Sequence, residues 1–223
     1  MIRFAPFAAT AVFAVALLTA PANAAPDTRG LLAHADATVT DLKVDAVFGS
    51  ARRTLRDARA ILIVPSLVKG GFIFGGEGGN GVLMARTRHG WSDPAFYTLA
   101  SASFGLQIGL EQSQLVMFIM SDRALRGIEQ GKVKLGAGAG LTIVTLGAAA
   151  EGATPANLAG DIIVWSKSKG AYGGLTLNGS VVAPDEDTNA AFYGQPTPVS
   201  AILSGDAHNP EAAPLRVNLK NTW

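Results

Sequence analysis

Apolar residues recur at Leu31, Ala35, Val39 and Leu42, the spacing of one helical face, and predict an amphipathic helix from about Thr28 to Val47. Asp27 or Thr28 can cap its start, because a short polar side chain there accepts from a free backbone N–H. Gly49-Ser50 interrupts the pattern, and Ser50 can cap a second, shorter helix through Arg59. The period then changes. Ala60–Val64 is an unbroken apolar, β-branched run halted by Pro65, the mark of a buried strand. Onward to about Met120 the chain predicts consecutive antiparallel strands. Val68–Phe74 and Gly81–Arg86 flank a glycine turn, and Arg88-His89-Gly90 makes another. Ala95–Leu110 follows, bent at Gly105 and Gly109, and then Leu115–Met120. Ser121-Asp122 caps a helix ending at Gly131, with Ala124, Leu125 and Ile128 inward. Further strands are expected at Leu141–Leu146, Ile162–Ser166 and Tyr172–Leu177, with a loop at Glu151–Asn157. A short helix runs from Asp185-Glu186-Asp187 to Phe192. Beyond Gly205 the tail, which contains prolines, has no readable period.

The chain carries 26 glycines, and those between Gly70 and Gly109 interrupt β-branched and aromatic runs every few positions. Glycine inside a strand weakens it and marks a bulge, a bend or a close backbone approach. The expected fold is therefore α+β. It has a curved, barrel-like antiparallel sheet, N-terminal helices, and one or two helices packed on it.

The first residues read as an export signal. Arg3 supplies the positive start, Ala8–Leu18 the apolar stretch, and Ala22-Asn23-Ala24 a small-x-small cleavage site. The expected domains are a signal peptide at 1–24 and a single folded unit at 25–223, placed in a periplasm or outside the cell. Cleavage removes one of the 18 basic residues and leaves 17 against 17 acids, so the mature chain is formally neutral. That excludes bulk nucleic-acid binding, which needs a basic excess. With no cysteine, the core must hold the fold without disulfides.

Catalytic and cofactor motifs fail on context. Gly76-Glu77-Gly78-Gly79-Asn80-Gly81 has the spacing of a dinucleotide loop, but Val82-Leu83-Met84 follows as a strand where a helix is required, so it reads as a hairpin turn. Asp185, Asp187 and Asn189 begin like a calcium loop, yet Ala190 replaces the turn glycine and Pro196 the bidentate glutamate. His34, His89 and His208 have no metal-ligand spacing. His89, Ser92 and Asp93 cluster before Pro94 as a polar turn would. Neither a cofactor nor an enzymatic activity is expected. Trp91, Phe96 and Tyr97 are assigned to the core.

The basic residues form a candidate site. On a helix, Arg52, Arg56 and Arg59 fall within about one 60° arc with Arg53 beside them, over an apolar side of Ala51, Leu55 and Ala58. Such a helix suits an anionic lipid surface, and equally a solvated face over the sheet. Lys69, Lys167 and Lys169 extend the set.

A longer ordered constellation joins these parts. It comprises Pro65, Lys69-Gly70-Gly71-Phe72, Gly75-Gly76, Gly81, Trp91-Ser92, Pro94-Ala95-Phe96-Tyr97 and Gly105-Leu106-Gln107-Ile108-Gly109. Trp165 to Gly170, Gly173-Gly174, Leu177-Asn178-Gly179, Asn189 and Phe192-Tyr193-Gly194 continue it. The pattern resembles the SYLF domain and departs from it around Leu135-Gly136, with Ala137 and Leu146-Gly147 where an acid and a Gly-Pro pair are usual. The resemblance implies a lipid-binding module whose N-terminal basic region meets the lipid, with Lys69 on the matching lysine. The expected function is non-enzymatic binding of an anionic phospholipid at the cell envelope. Some eukaryotic members bind actin, which an exported chain does not meet, so actin is set aside. The alternatives are a protein-interaction or structural module of the envelope, and a hydrolase built on scattered Ser, His and Asp.

Overall fold

The computed structural model describes residues 26–71, 74–104, 109–131, 133–135, 143–146, 160–169 and 179–222. Among them the chain is α+β, built on one strongly curled half-barrel sheet. Helices α1 (Thr28–Val44) and α2 (Ala46–Leu55) precede strands β1 (Ala60–Gly71), β2 (Phe74–Thr87), β3 (Gly90–Trp91), β4 (Ala95–Phe104) and β5 (Gly109–Ile119). Helix α3 (Asp122–Glu129), β6 (Val133–Lys134), β7 (Ile143–Leu146), β8 (Ile162–Lys169) and β9 (Val181–Pro184) follow. Helices α4 (Glu186–Tyr193), α5 (Val199–Ser204) and α6 (Ala213–Lys220) end the described chain, with a 3-10 turn at Pro210–Ala212 before α6. The strand order is β6-β9-β4-β2-β1-β5-β8-β7, with β3 paired to β2. Among the described residues every pairing is antiparallel except β7 with β8, a departure from the all-antiparallel expectation.

Both faces of the sheet are covered, which is why its central strands read as continuous apolar runs rather than alternating ones. On one face Ile61, Ile63, Met84, Phe96, Phe118 and Trp165 pack under α1, α2, α4 and α6. On the other Leu62, Val64, Leu83, Tyr97, Met117 and Val164 pack under α3 and α5. Ala60–Val64 contributes to both faces, and Trp91, Phe96 and Tyr97 are buried as expected.

The helix signals in the first half are largely realised, with two boundary corrections. Asp27 caps α1, its carboxylate accepting from Gly30 N at 2.8 Å. Ser121 caps α3 in the same way. The expected break at Gly49-Ser50 is not one. The chain turns at Asp45, and α2 runs through both residues because Phe48 and Leu55, two turns apart on one side, are buried. That anchoring outweighs the roughly 1 kcal/mol a helical glycine costs. The helix also ends at Leu55 rather than at Arg59.

Pro65 does not end its strand. β1 continues through it by a bulge, with one extra residue between Ile63 and Val68 against β2 and between Val64 and Leu67 against β5. Proline lacks an N–H for the ladder, and a bulge is where a central strand can hold one. The Gly76–Gly81 segment is likewise strand and not a turn. It lies within β2, in register with β1 on one side and β4 on the other. The expected single strand Ala95–Leu110 is two, since β4 ends at Phe104 and Gly109 begins β5, with β2 and β1 between them in the sheet. The expected strand at 172–177, the loop at 151–157, the bend at Gly105 and part of the family constellation fall outside the described residues.

Candidate functional site

The seven basic residues do not share one surface. Arg52 and Arg53 occupy the last turn of α2, and Arg56 follows in the turn beyond it, all three exposed. Beneath them Leu55 and Ala58 are fully buried in the core, so the apolar side of the segment faces the protein's own sheet. Arg59 lies off the helix and pairs with Asp122 at 3.3 Å. Lys69 stands at the other end of β1, roughly 30 Å along an extended strand. It lies in register between Glu77 of β2 and Glu111 of β5. Lys167 faces α1, where its ammonium is 3.7 Å from Asp41. Lys169 ends β8, opposite Gln112. Arg52, Arg53 and Arg56 therefore form the one basic group that stays together, and none of them makes an ion pair among the described residues.

A second constellation was only half visible in the sequence. Asp93 is buried, and its carboxylate gathers the C-terminal segment. Arg216 Nη1 lies 2.7 Å from Oδ1, His208 Nδ1 lies 3.1 Å from Oδ2, and the Asn209 backbone N–H donates to Oδ2 at 2.6 Å. A carboxylate only accepts, so His208 carries its proton on Nδ1, and the guanidinium 3.3 Å from that nitrogen has no acceptor there. Ser92 Oγ is buried between two backbone groups. It donates to Asp93 O at 2.8 Å and accepts from Ala85 N at 3.0 Å. His89 is exposed and takes no part; His208 stands where the sequence suggested His89. Tyr193 closes the cluster by donating to Pro94 O at 2.9 Å. Burial, and then the Asp93 carboxylate, push its phenol well above the ordinary value, with Arg216 opposing.

The residues that resembled a calcium loop have structural partners instead. Asp185 caps α4, accepting from Thr188 N at 3.0 Å and from Thr188 Oγ1 at 2.7 Å. Asn189 is buried and replaces a strand neighbour for β4. Its Oδ1 accepts from Phe96 N at 2.8 Å and its Nδ2 donates to Phe96 O at 3.1 Å.

A groove runs where α1 crosses the bulge of β1. Two adjoining hollows, of about 370 and 500 Å³, share His34, Pro65 and Ser66. The larger is floored by Gly78 and Gly79 and edged by Val68, which is 41% exposed. The smaller ends at Gln114 and Lys167. Sequence reading missed it because the bulge that opens it was taken for a strand end.

With this geometry in place, the chain can be set beside known proteins. The family described as "Ysc84: Las17-binding protein actin regulator" matches residues 100–222. The chain is 33% identical over 180 residues to Protein YSC84 of Saccharomyces cerevisiae, covering 77% of this chain and 38% of that protein. It is 31% identical over 179 residues to LAS seventeen-binding protein 3 of the same species, covering 77% and 39%. The SH3 domain-containing YSC84-like protein 1 of Rattus norvegicus is 33% identical over 164 residues, covering 73% and 48%. The chain thus spans less than half the length of each of these relatives. Their names point to protein partners rather than lipid. The expectation of an anionic lipid partner is corrected on that ground, and so is the setting aside of actin, because the matching family is described as an actin regulator.

Proposed function

The chain belongs to the Ysc84, or SYLF, family, and from that premise we propose that it is a non-catalytic protein-interaction module. The observation that carries the reading is the match of more than half the chain to a family whose description names a protein partner, Las17, and actin regulation. The partner-facing group is Arg52, Arg53 and Arg56, which are exposed and make no ion pair among the described residues. Because the apolar side beneath them is buried, they offer charge without an insertable face, which suits an acidic protein surface. The non-catalytic part is supported by the arrangement at Ser92 and Asp93, where the hydroxyl and the carboxylate that could serve a hydrolase both hold structural bonds.

Site-specific photo-crosslinking tests this. A photoreactive residue at position 53, in cells of the source organism, is expected to give discrete adducts with one protein, absent when the label sits at Thr197. With that protein purified, the triple variant Arg52→Gln, Arg53→Gln, Arg56→Gln is expected to bind roughly tenfold more weakly at low salt, at up to 1 kcal/mol per exposed charge. The difference should shrink as salt rises. Its melting temperature should hardly change, since exposed substitutions of this kind move stability by about 0.5 kcal/mol or less. Failure to form any protein adduct rejects the reading.

Export belongs to the same proposal and rests on Arg3, Ala8–Leu18 and the Ala22-Asn23-Ala24 site. Cleavage after Ala24 leaves Asp27 in place to cap α1. Amino-terminal sequencing of the protein from its source is expected to begin Ala25-Pro26-Asp27. A chain still starting at Met1 counts against export.

A further inference from the structure

We infer that the basic surface continues past Arg52, Arg53 and Arg56, over the end of the sheet to Arg88. Its ligand is an extended acidic segment of a partner protein, with Asp or Glu at alternate positions. The inference rests on the protein-interaction reading and adds the rest of the surface and the form of the ligand.

Strand pairing builds the band. The Arg86 backbone N–H donates to Arg59 O at 2.8 Å, so these two arginines stand side by side where β1 begins and β2 ends. The Arg86 side chain reaches back toward α2. Its Nε donates to Ala58 O at 3.1 Å, two residues beyond Arg56, and its guanidinium lies 4.5 Å from the centre of the Trp91 ring. Arg88 is in the turn between β2 and β3. It lies within about 7 Å of Arg86 along the chain. Six exposed arginines thus follow one another from α2 to the hairpin, and none of the described lysines is among them.

The neighbouring acids do not balance them. Asp57 and Asp122 lie within the band, and Asp206 borders it beyond Gly205, where an added Cβ would touch Thr87 at 3.5 Å. Among the described residues three acids therefore face six arginines, although the chain as a whole is formally only +1. The ion pair of Arg59 with Asp122 leaves both side chains more than half exposed, so a partner carboxylate can take the place of Asp122 at little cost.

Arginine in place of lysine bears on the ligand's chemistry. A guanidinium takes a carboxylate through two parallel N–H donors, and it keeps them while stacked on an aromatic face. Arg86 is already held by the Trp91 ring and Ala58 O, so it loses less freedom on binding. Beneath the band Leu55, Ala58 and Trp91 are buried, which leaves no apolar or aromatic face to enter a bilayer or stack on a base. Length sets the form. From Arg52 to Arg88 the band runs about 25 Å, which about seven residues of extended chain cover, with alternate side chains on one side.

The probe is a fluorescein-labelled octapeptide of alternating Glu and Ser, read by anisotropy against the whole chain. The screening length is about 30 Å at 10 mM salt, longer than the band, and about 8 Å at 150 mM, so affinity is expected to fall about tenfold or more between the two. Arg88→Glu, outside the group already assigned, is expected to weaken binding about tenfold at low salt, and Arg59→Gln about threefold. Lys134→Glu on β6 makes the same charge change elsewhere and is expected to leave binding within about twofold. Thermal melts establish that the three variants are folded. The inference is overturned if the Glu peptide does not bind at low salt, or if a Gln-Ser peptide binds as well. It is also overturned if the three variants bind alike, or if an oligothymidylate of the same length or phosphatidylglycerol vesicles compete better than unlabelled Glu peptide. A photoreactive residue at position 88 separates the two ideas, since it should give the adduct formed from position 53. An adduct from position 53 alone rejects the band and leaves the interaction reading standing, whereas no adduct from either position rejects both.

Discussion

Alanine at Gly79 or Gly81 is expected to lower the melting temperature by roughly 6–12 °C, while alanine at Gly76 or Gly78, in the same strand, leaves it unchanged or raises it slightly. The added Cβ at Gly79 would stand 2.5 Å from Ser66 O and 3.2 Å from Leu67 Cα, and at Gly81 2.6 Å from Ile63 O. These are backbone atoms of the neighbouring strand, so relief requires β1 itself to move out of its bulge. Overpacking against a rigid neighbour costs about 3 kcal/mol or somewhat more. At about 2–4 °C per kcal/mol for a chain of this size, that gives the fall stated. At Gly76 and Gly78 the contacts are ordinary, and alanine recovers up to about 1 kcal/mol of the entropy that glycine loses on folding. Thermal melts of the four single variants decide it. If all four behave alike, the glycines are not matched to the bulge and the account of β2 fails.

The same pair of features marks how far the fold could be read from the chain. Local signals were legible where one residue type has one physical use. Ser121 and Asp185 cap helices as expected, and Ala60–Val64 is a buried strand because nothing polar interrupts it. Pro65 and Gly76–Gly81 were misread because each has two uses, ending a strand or bending one. Only the partner strand, with its extra residue, decides between them. The arginine helix was overextended for a related reason. Charge periodicity continues past Leu55, but the backbone leaves the helix so that Arg59 N can bond Ile119 O and start the sheet. The C-terminal helices had no readable period, being short elements whose packing depends on contacts far away in the chain. Of the candidate site, Arg52, Arg53 and Arg56 were found from spacing. The groove was not, because it exists only once α1 lies across the bulge.

The Asp93 cluster gives the second large effect, and it too joins segments that no local pattern connects. Asp93→Ala is expected to cost about 3–5 kcal/mol, because it leaves the Arg216 guanidinium, 28% exposed, without its carboxylate. It also removes the acceptor of Asn209 N. The melting temperature should fall by roughly 6–20 °C. The loss should begin locally. Asp93 precedes β4, whereas Arg216 lies on α6, so the carboxylate pins the C-terminal helix to the sheet. Hydrogen exchange should show the amides of α6 losing protection before those of β1 and β5, which sit in the centre of the sheet. Arg216→Met should be destabilising as well, since it leaves the buried carboxylate with only Asn209 N and His208. The double variant should be more stable than the sum of the two losses by about 1–3 kcal/mol, since removing both partners leaves neither charge stranded. A merely additive double variant, or an Asp93→Ala protein whose α6 exchanges like the parent's, shows that the contact between Asp93 and Arg216 does not hold the tail. The C-terminal helix would then owe its place to the packing of Leu215 and Leu219 and to the hydrogen bonds of Asn218 with Asp36 and Thr40 of α1.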